Sequence, residues 1–216
     1  MVNKKTIGTN EVVTQVKNQD LVVQRRNQIV EAAVPLFVKN GFHKTTTRQI
    51  AKAVGFSVGS MYEYIACKED ILYLVCISIH DQVEKGVKKA MSTRKKGRSV
   101  LSGVVREFIM VCHRMSDQIQ LMYQVTKSLP SQWKRKVLEN EIHITKLVVD
   151  AVNQIVATEK LTHFTEKKSE LIANNITIIG HMWTFRRWHM ANIYTIEEYI
   201  DLQTEFILDS FAPKNT

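Results

Sequence analysis

Eight glycines and three prolines are all that 216 residues supply for tight turns, and a fold rich in short strands needs far more punctuation than that. Apolar residues instead recur at helical spacing over long stretches, so the chain reads as all-α. Between Leu21 and Lys39 the residues Val22, Ile29, Ala33, Leu36 and Phe37 share one helical face, with Gly41 as a stop. Pro35 lies inside that pattern and removes one backbone hydrogen bond, which predicts a local kink. Longer helices are expected at about 68–92, 100–116, 118–128, 131–158, 166–191 and 196–211. The run Thr93 to Ser99 reads as a basic linker, and residues 161–165 read as a loop. The expected domains are a flexible arm over 1–20, a small helical unit over 21–68, and a larger helical bundle over 69–216.

The side-chain inventory narrows the function. A hydrophobic fraction of 44% supports a real core. No uncharged apolar run approaches the roughly 18 residues of a membrane span, and no secretory pattern follows Lys4 and Lys5, so a cytoplasmic address without membrane partners is expected. Cys67, Cys76 and Cys112 are odd in number and contain no close pair, which fits free thiols in a reducing compartment. The net charge of +9 favours a polyanionic partner such as nucleic acid or a phosphorylated ligand.

The stretch TTTRQIAKAVGFSVGSMYEYIACKED, Thr45 to Asp70, specifies that partner. Thr46 or Thr47 caps a short helix through Val54 whose inner face carries Ile50, Ala51 and Val54. Gly55 permits a sharp turn, and Ser57 caps a second helix bearing Met61 and Ile65. Two short helices joined through a glycine form a helix-turn-helix, whose second member enters the DNA major groove with its first residues nearest the base edges. Here those are the small Val58, Gly59 and Ser60, while Tyr62 and Tyr64 offer hydroxyls to phosphates. Spacing of two places the tyrosines on different helix faces, so both cannot be core. Lys68, at the next helix start, is a further phosphate candidate.

The segments IVEAAVPLFVKNGF, TTTRQIAKAVGFSVGSMYEY and KEDIL, within about Arg25 to Val75, resemble the DNA-binding domain of the TetR family of bacterial regulators. The resemblance implies a three-helix N-terminal domain followed by a bundle for ligand binding and dimerisation. It implies phosphate contacts from Thr47, Ser60, Tyr62, Tyr64 and Lys68, and base reading by Arg48 and the Val58–Ser60 surface. Two positions depart from the family pattern: Ile65 stands where Phe is usual, and Cys67 where Ser or Asn is usual. Cys is a weaker N-cap by about 1 kcal/mol, so fraying of the helix beginning at Lys68 is expected.

The resemblance also implies a homodimer on double-stranded operator DNA. In ELIANNITIIGHMWTFRRW one stripe carries Ile172, Ile176, Ile179 and Trp183, and another Leu171, Ile178, Met182 and Phe185. A helix apolar on two sides fits between its own core and a partner chain, and Gly180 allows close approach. An adaptable apolar pocket for a small-molecule effector is expected from Phe108, Met115, Met122, Tyr123, Trp133 and Trp183, among ordinary core residues of the same types. Lys127, Arg135, Arg186 and Arg187 are the cations for an anionic head group, the last two expected to be buried and compensated by Glu197, Glu198, Glu205 or phosphates. The later motifs are similar to the FadR-type acyl-CoA-responsive regulators, which makes an acyl-CoA the expected effector, with an amphiphilic drug as the alternative.

No nucleophile elbow, phosphate-binding loop or paired-carboxylate signature rises above chance, so neither a catalytic residue nor a cofactor is assigned. The other class left open is a helical enzyme or carrier handling acyl thioesters. Cys76 and His80 are four apart, as metal ligands on a helix can be, but no third ligand is placed by sequence.

Overall fold

Thr46, Ser57, Thr165 and Thr195 each begin a helix by accepting a hydrogen bond from a backbone N–H three residues on, and these caps set much of the element order. The computed structural model describes residues 12–92, 97–162 and 164–212. Among these the α-helices are α1 (Gln19–Asn40), α2 (Thr47–Val54), α3 (Val58–Tyr62), α4 (Lys68–Met91), α5 (Arg98–Arg114), α6 (Ser116–Val125), α7 (Ser131–Thr158), α8 (Glu166–Met190) and α9 (Ile196–Asp209). A short 3-10 helix, Thr126–Ser128, separates α6 from α7. Most of the predicted arm (1–11), most of the basic linker (93–96) and His163 of the predicted loop lie outside the described residues.

Two of the expectations change. Pro35 is accommodated inside an unbroken α1, on its exposed side, so no break in helix assignment marks it. The break occurs instead at Arg186 in α8, whose φ of −111° and ψ of 16° leave the helical region.

The chain divides into two units, and the division does not fall at the expected 68/69 boundary. The first comprises the described residues through Asp81 together with Asp117–Leu138; the second comprises Gln82–Ser116 and the described residues from Glu139 onward. The reason is visible in the first unit. Trp133 of α7 stacks on Tyr73 of α4 at 4.2 Å between ring centroids, and its indole N–H donates to Asp70 at 3.0 Å. Ser128 and the His43 ring share a further hydrogen bond of 3.2 Å. The start of α7 and the segment before it therefore belong with α1–α3.

In the second unit α5 is the central element, burying Val104, Val105, Phe108 and Cys112 as it packs along α8 and α9. Gly180 of α8 meets Phe108 and Cys112 of α5, while Thr184 donates to the Cys112 carbonyl at 3.1 Å. Trp183 donates to His113 Nδ1 at 3.0 Å and packs on Tyr199, whose hydroxyl reaches the Ile179 carbonyl at 2.8 Å. Burial pushes the Cys112 thiol up to about 12 and His181 down to about 4, so both are neutral near pH 7. The two sequence stripes of α8 separate as a two-sided helix requires. Ile176 and Trp183 are buried, whereas Leu171, Ile178 and Phe185 are exposed.

Candidate nucleic-acid interface

The helix-turn-helix is built from local signals. Thr46 accepts from Gln49 N, and the Gln49 side chain accepts from Thr46 N at 2.8 Å, a reciprocal capping box that fixes the start of α2. Replacing Thr46 with Ala is expected to destabilise the first unit by about 1 kcal/mol, measured by urea unfolding. Gly55 adopts φ +82°, ψ 25°, the left-handed conformation that reverses the chain after α2, and Phe56 N donates to Ala51 O at 2.8 Å. Ile50, Ala51 and Met61 close the interior, so the opposite surfaces face outward.

Those outward surfaces carry most of the predicted contacts. Arg48 and Gly59 are exposed, and Val58, Ser60 and Thr47 are half-buried. Tyr62 is 44% exposed and donates its hydroxyl to Thr47 Oγ1 at 3.2 Å. The two side chains thus present paired hydroxyls at the surface, a suitable group for one phosphate oxygen.

Two predicted contacts are corrected. Tyr64 is only 7% exposed, its ring near Phe56, because α3 ends at Tyr62 and the following turn rotates residue 64 inward. Ile65, expected on the second helix, lies beyond its end and is fully buried. Lys68 directs its ammonium at the carbonyls of Phe42 (2.8 Å), Thr45 (2.9 Å) and His43 (3.3 Å), over the Phe42 ring. All three of its donors serve the α1–α2 connection, so it holds the scaffold rather than facing outward.

The expected fraying at Cys67 is countered by an acid. Asp70 Oδ2 accepts from Ala66 N at 2.8 Å and Cys67 N at 3.1 Å, so the first turn of α4 is tied back to the residues that lead into it even though Cys67 is a weak cap. Burial raises the Cys67 thiol to about 11.

A second anchoring group went unread in the sequence. Arg26 is 1% exposed and donates to the carbonyls of Tyr64 (2.9 Å) and Val12 (2.6 Å). Thr14 donates to Glu63 O at 2.7 Å. Residues 12–17, expected to be part of a loose arm, form a strap docked against the end of α3. Burial lowers the Arg26 pKa, and the charge of Asp70 opposes that shift. The available sequence signal was an arginine on an otherwise apolar face beside Val22, Ile29 and Val30.

The effector candidates are distributed over both units. Met122 and Trp133 are buried in the first, where Tyr123 and Lys127 are exposed. In the second, Phe108 and Trp183 are tightly packed core, and Met115 is half-buried. Arg186 and Arg187 are exposed, contrary to the buried pair expected, and Arg186 is also where the backbone of α8 leaves helical geometry. Glu197 pairs instead with Arg106, and Glu198 caps α9 through Thr195. Among the described residues no three His, Cys, Asp or Glu side chains gather as a metal site, and no helix is long and apolar enough to cross a membrane.

Residues 29–73 match the family described as bacterial regulatory proteins, tetR family. The regulator HbdR of Aromatoleum sp. (strain CIB) is 25% identical over 204 residues, covering 94% of this chain and 88% of that protein. The fatty acid metabolism regulator protein of Bacillus subtilis (strain 168) is 32% identical over 83 residues, 35% of this chain and 41% of that one. The structure of AibR in complex with isovaleryl coenzyme A and operator DNA superposes with a TM-score of 0.69 at 17% identity, covering 84% of this chain and 97% of AibR. The capped helix pair, its left-handed glycine and its outward arginine and hydroxyls all lie within residues 29–73, the segment that matches the tetR family of bacterial regulatory proteins.

Proposed function

We propose that the chain acts as a cytoplasmic homodimeric repressor that reads a palindromic operator and is released by an amphiphilic effector, an acyl-CoA thioester before other classes. The observation carrying DNA recognition is the outward pairing of Tyr62 and Thr47 beside exposed Arg48 and Gly59, over a closed Ile50–Met61 interior. Arg48 reads a base, Val58–Ser60 allow the backbone to approach the groove edge, and the paired hydroxyls take a phosphate. Dimerisation is supported by apolar side chains left open on α8 and α9: Leu171, Ile178, Phe185, Trp188 and Phe206, the last two 74% and 70% exposed. A second copy covers such a face symmetrically and sets two readers on successive grooves.

The acyl-CoA reading draws on the exposed Arg186 and Arg187 as partners for phosphates, on AibR's bound isovaleryl coenzyme A, and on the fatty-acid regulator among the relatives. Because effector and operator bias one equilibrium in opposite directions, each weakens the other by the same factor.

A gel-shift titration tests the DNA reading. Wild type is expected to bind one short palindrome with affinity falling steeply as salt rises. Arg48→Ala should lower affinity for that palindrome by about 5- to 150-fold, corresponding to 1–3 kcal/mol, with the dimer intact by sedimentation. Sequence-indifferent binding by wild type would overturn the repressor reading. A thermal-shift panel of acyl-CoAs, free fatty acids and cationic dyes tests the effector; stabilisation by dyes alone removes the thioester.

A further inference from the structure

The first unit contains a cavity of about 510 Å³ that the proposed repressor mechanism does not use. That volume is within the roughly 300–1,000 Å³ of small-molecule sites. Its apolar wall is made by Val13 of the strap, Ala66 of the α3–α4 connection, Pro130 and Trp133. Its polar rim is Gln132, Arg135 and Lys136 of α7. Trp133, a candidate effector-pocket residue in the sequence, stacks one ring face on Tyr73 and borders this cavity.

The electrostatics select the occupant. Arg135 is exposed and Lys136 half-buried, so both cations are at the mouth with solvent access. Asp70 also borders the cavity, but its carboxylate already accepts from Ala66 N, Cys67 N and the Trp133 indole, with the Arg26 charge nearby. Its oxygens are thus engaged from the protein side, and Arg135 and Lys136 are the cationic side chains that border the cavity. A guanidinium presents a planar fork of donors that matches a carboxylate, and an ammonium beside it adds charge without demanding geometry. The apolar wall and aromatic edge suit a hydrocarbon body rather than a bare inorganic anion.

We infer that this cavity is a binding site for a small amphiphilic carboxylate, with its head on Arg135 and Lys136 and its body against Val13, Pro130 and Trp133. The site requires neither an acyl-CoA effector nor a dimer. Its wall includes the strap and the connection leaving the recognition helix, so an occupant touches both segments that hold the end of α3.

Full-length protein labelled with 15N-tryptophan reports on the site through its three indole signals, assigned with Trp133→Phe. The probe is 4-phenylbutanoate, compared with 4-phenylbutanamide and 4-phenylbutylamine. The expected result is a saturable shift of the Trp133 signal with the carboxylate, at least tenfold weaker binding of the amide, and no shift with the amine. The variant Arg135→Ala/Lys136→Ala, changed only at the cavity rim, should weaken carboxylate binding at least tenfold. An unmoved Trp133 signal, an equal response to the amine, or indifference to the double substitution overturns the site. A shift of Trp183 alone also overturns it and points to an occupant of the second unit, which leaves the effector reading standing.

Discussion

Asp70→Ala is expected to lower the stability of the first unit by about 3–5 kcal/mol, a large share of the 5–15 kcal/mol typical of a domain. The carboxylate is 4% exposed and accepts three N–H donors from two elements: Ala66 and Cys67 amides at the entry to α4, and the indole of Trp133 in α7. Truncation strands the Ala66 and Cys67 amides and a buried indole donor, and removes a carboxylate whose charge acts on buried Arg26. Asp70→Asn should recover little, because the amide offers one acceptor oxygen where the carboxylate offers two, and adds donors facing donors. Trp133→Phe keeps an aromatic ring beside Tyr73 but deletes the indole donor and part of the buried ring volume, so about 1–3 kcal/mol is expected. The double variant Asp70→Ala/Trp133→Phe should cost less than the sum of the singles, because the stranded donor is then absent. Urea unfolding followed by circular dichroism measures all four. A loss below about 1 kcal/mol for Asp70→Ala would show that the two elements do not depend on this carboxylate.

The same residue shows where the sequence was legible and where it was not. The caps at Thr46 and Ser57, the glycine at 55 and the apolar periods of α1, α5 and α8 are local patterns, and each recurs in the structure within a residue or two. Tyr62 and Tyr64 were separable in part: spacing requires different faces, but which one faces outward depends on α3 ending after five residues. Asp70, Lys68 and Arg26 resisted reading because each has a partner far away in sequence, at 63, 26 and 38 positions. A buried ionic side chain is recognised only when the groups that compensate it are placed, and periodicity places none of them. Arg186 and Arg187 misled for a related reason. An apolar context predicted burial, while both side chains are exposed and the break in α8 at Arg186 carries no glycine or proline to announce it.

Gly180→Val should destabilise the second unit by about 3 kcal/mol or more and should do so through two named neighbours. A Cβ built on Gly180 lies 2.7 Å from the Phe108 ring and 2.8 Å from Cys112 Sγ, well inside contact distance. Neither neighbour is a flexible side-chain end: Phe108 is 3% exposed and Cys112 is fully buried, both on the central helix α5. The valine therefore separates α5 from α8 or drives the ring into a packed interior, and its better helix propensity returns only about 0.3 kcal/mol. Phe108→Ala alone should cost about 3–5 kcal/mol by opening a cavity. Combining the substitutions lets the valine occupy the space that the ring vacates, so the double variant should be at least 1 kcal/mol more stable than additivity predicts. The cycle discriminates a steric contact from a general intolerance of α8 to β-branched residues, which would give additive losses. Separation of α5 and α8 should also disturb the exposed apolar face that α8 shares with α9, so Gly180→Val is expected to weaken the proposed dimer as well as stability. Operator binding by a preformed Gly180→Val dimer at undiminished affinity and melting temperature would mean that the α5–α8 approach is not the tight packing the distances describe.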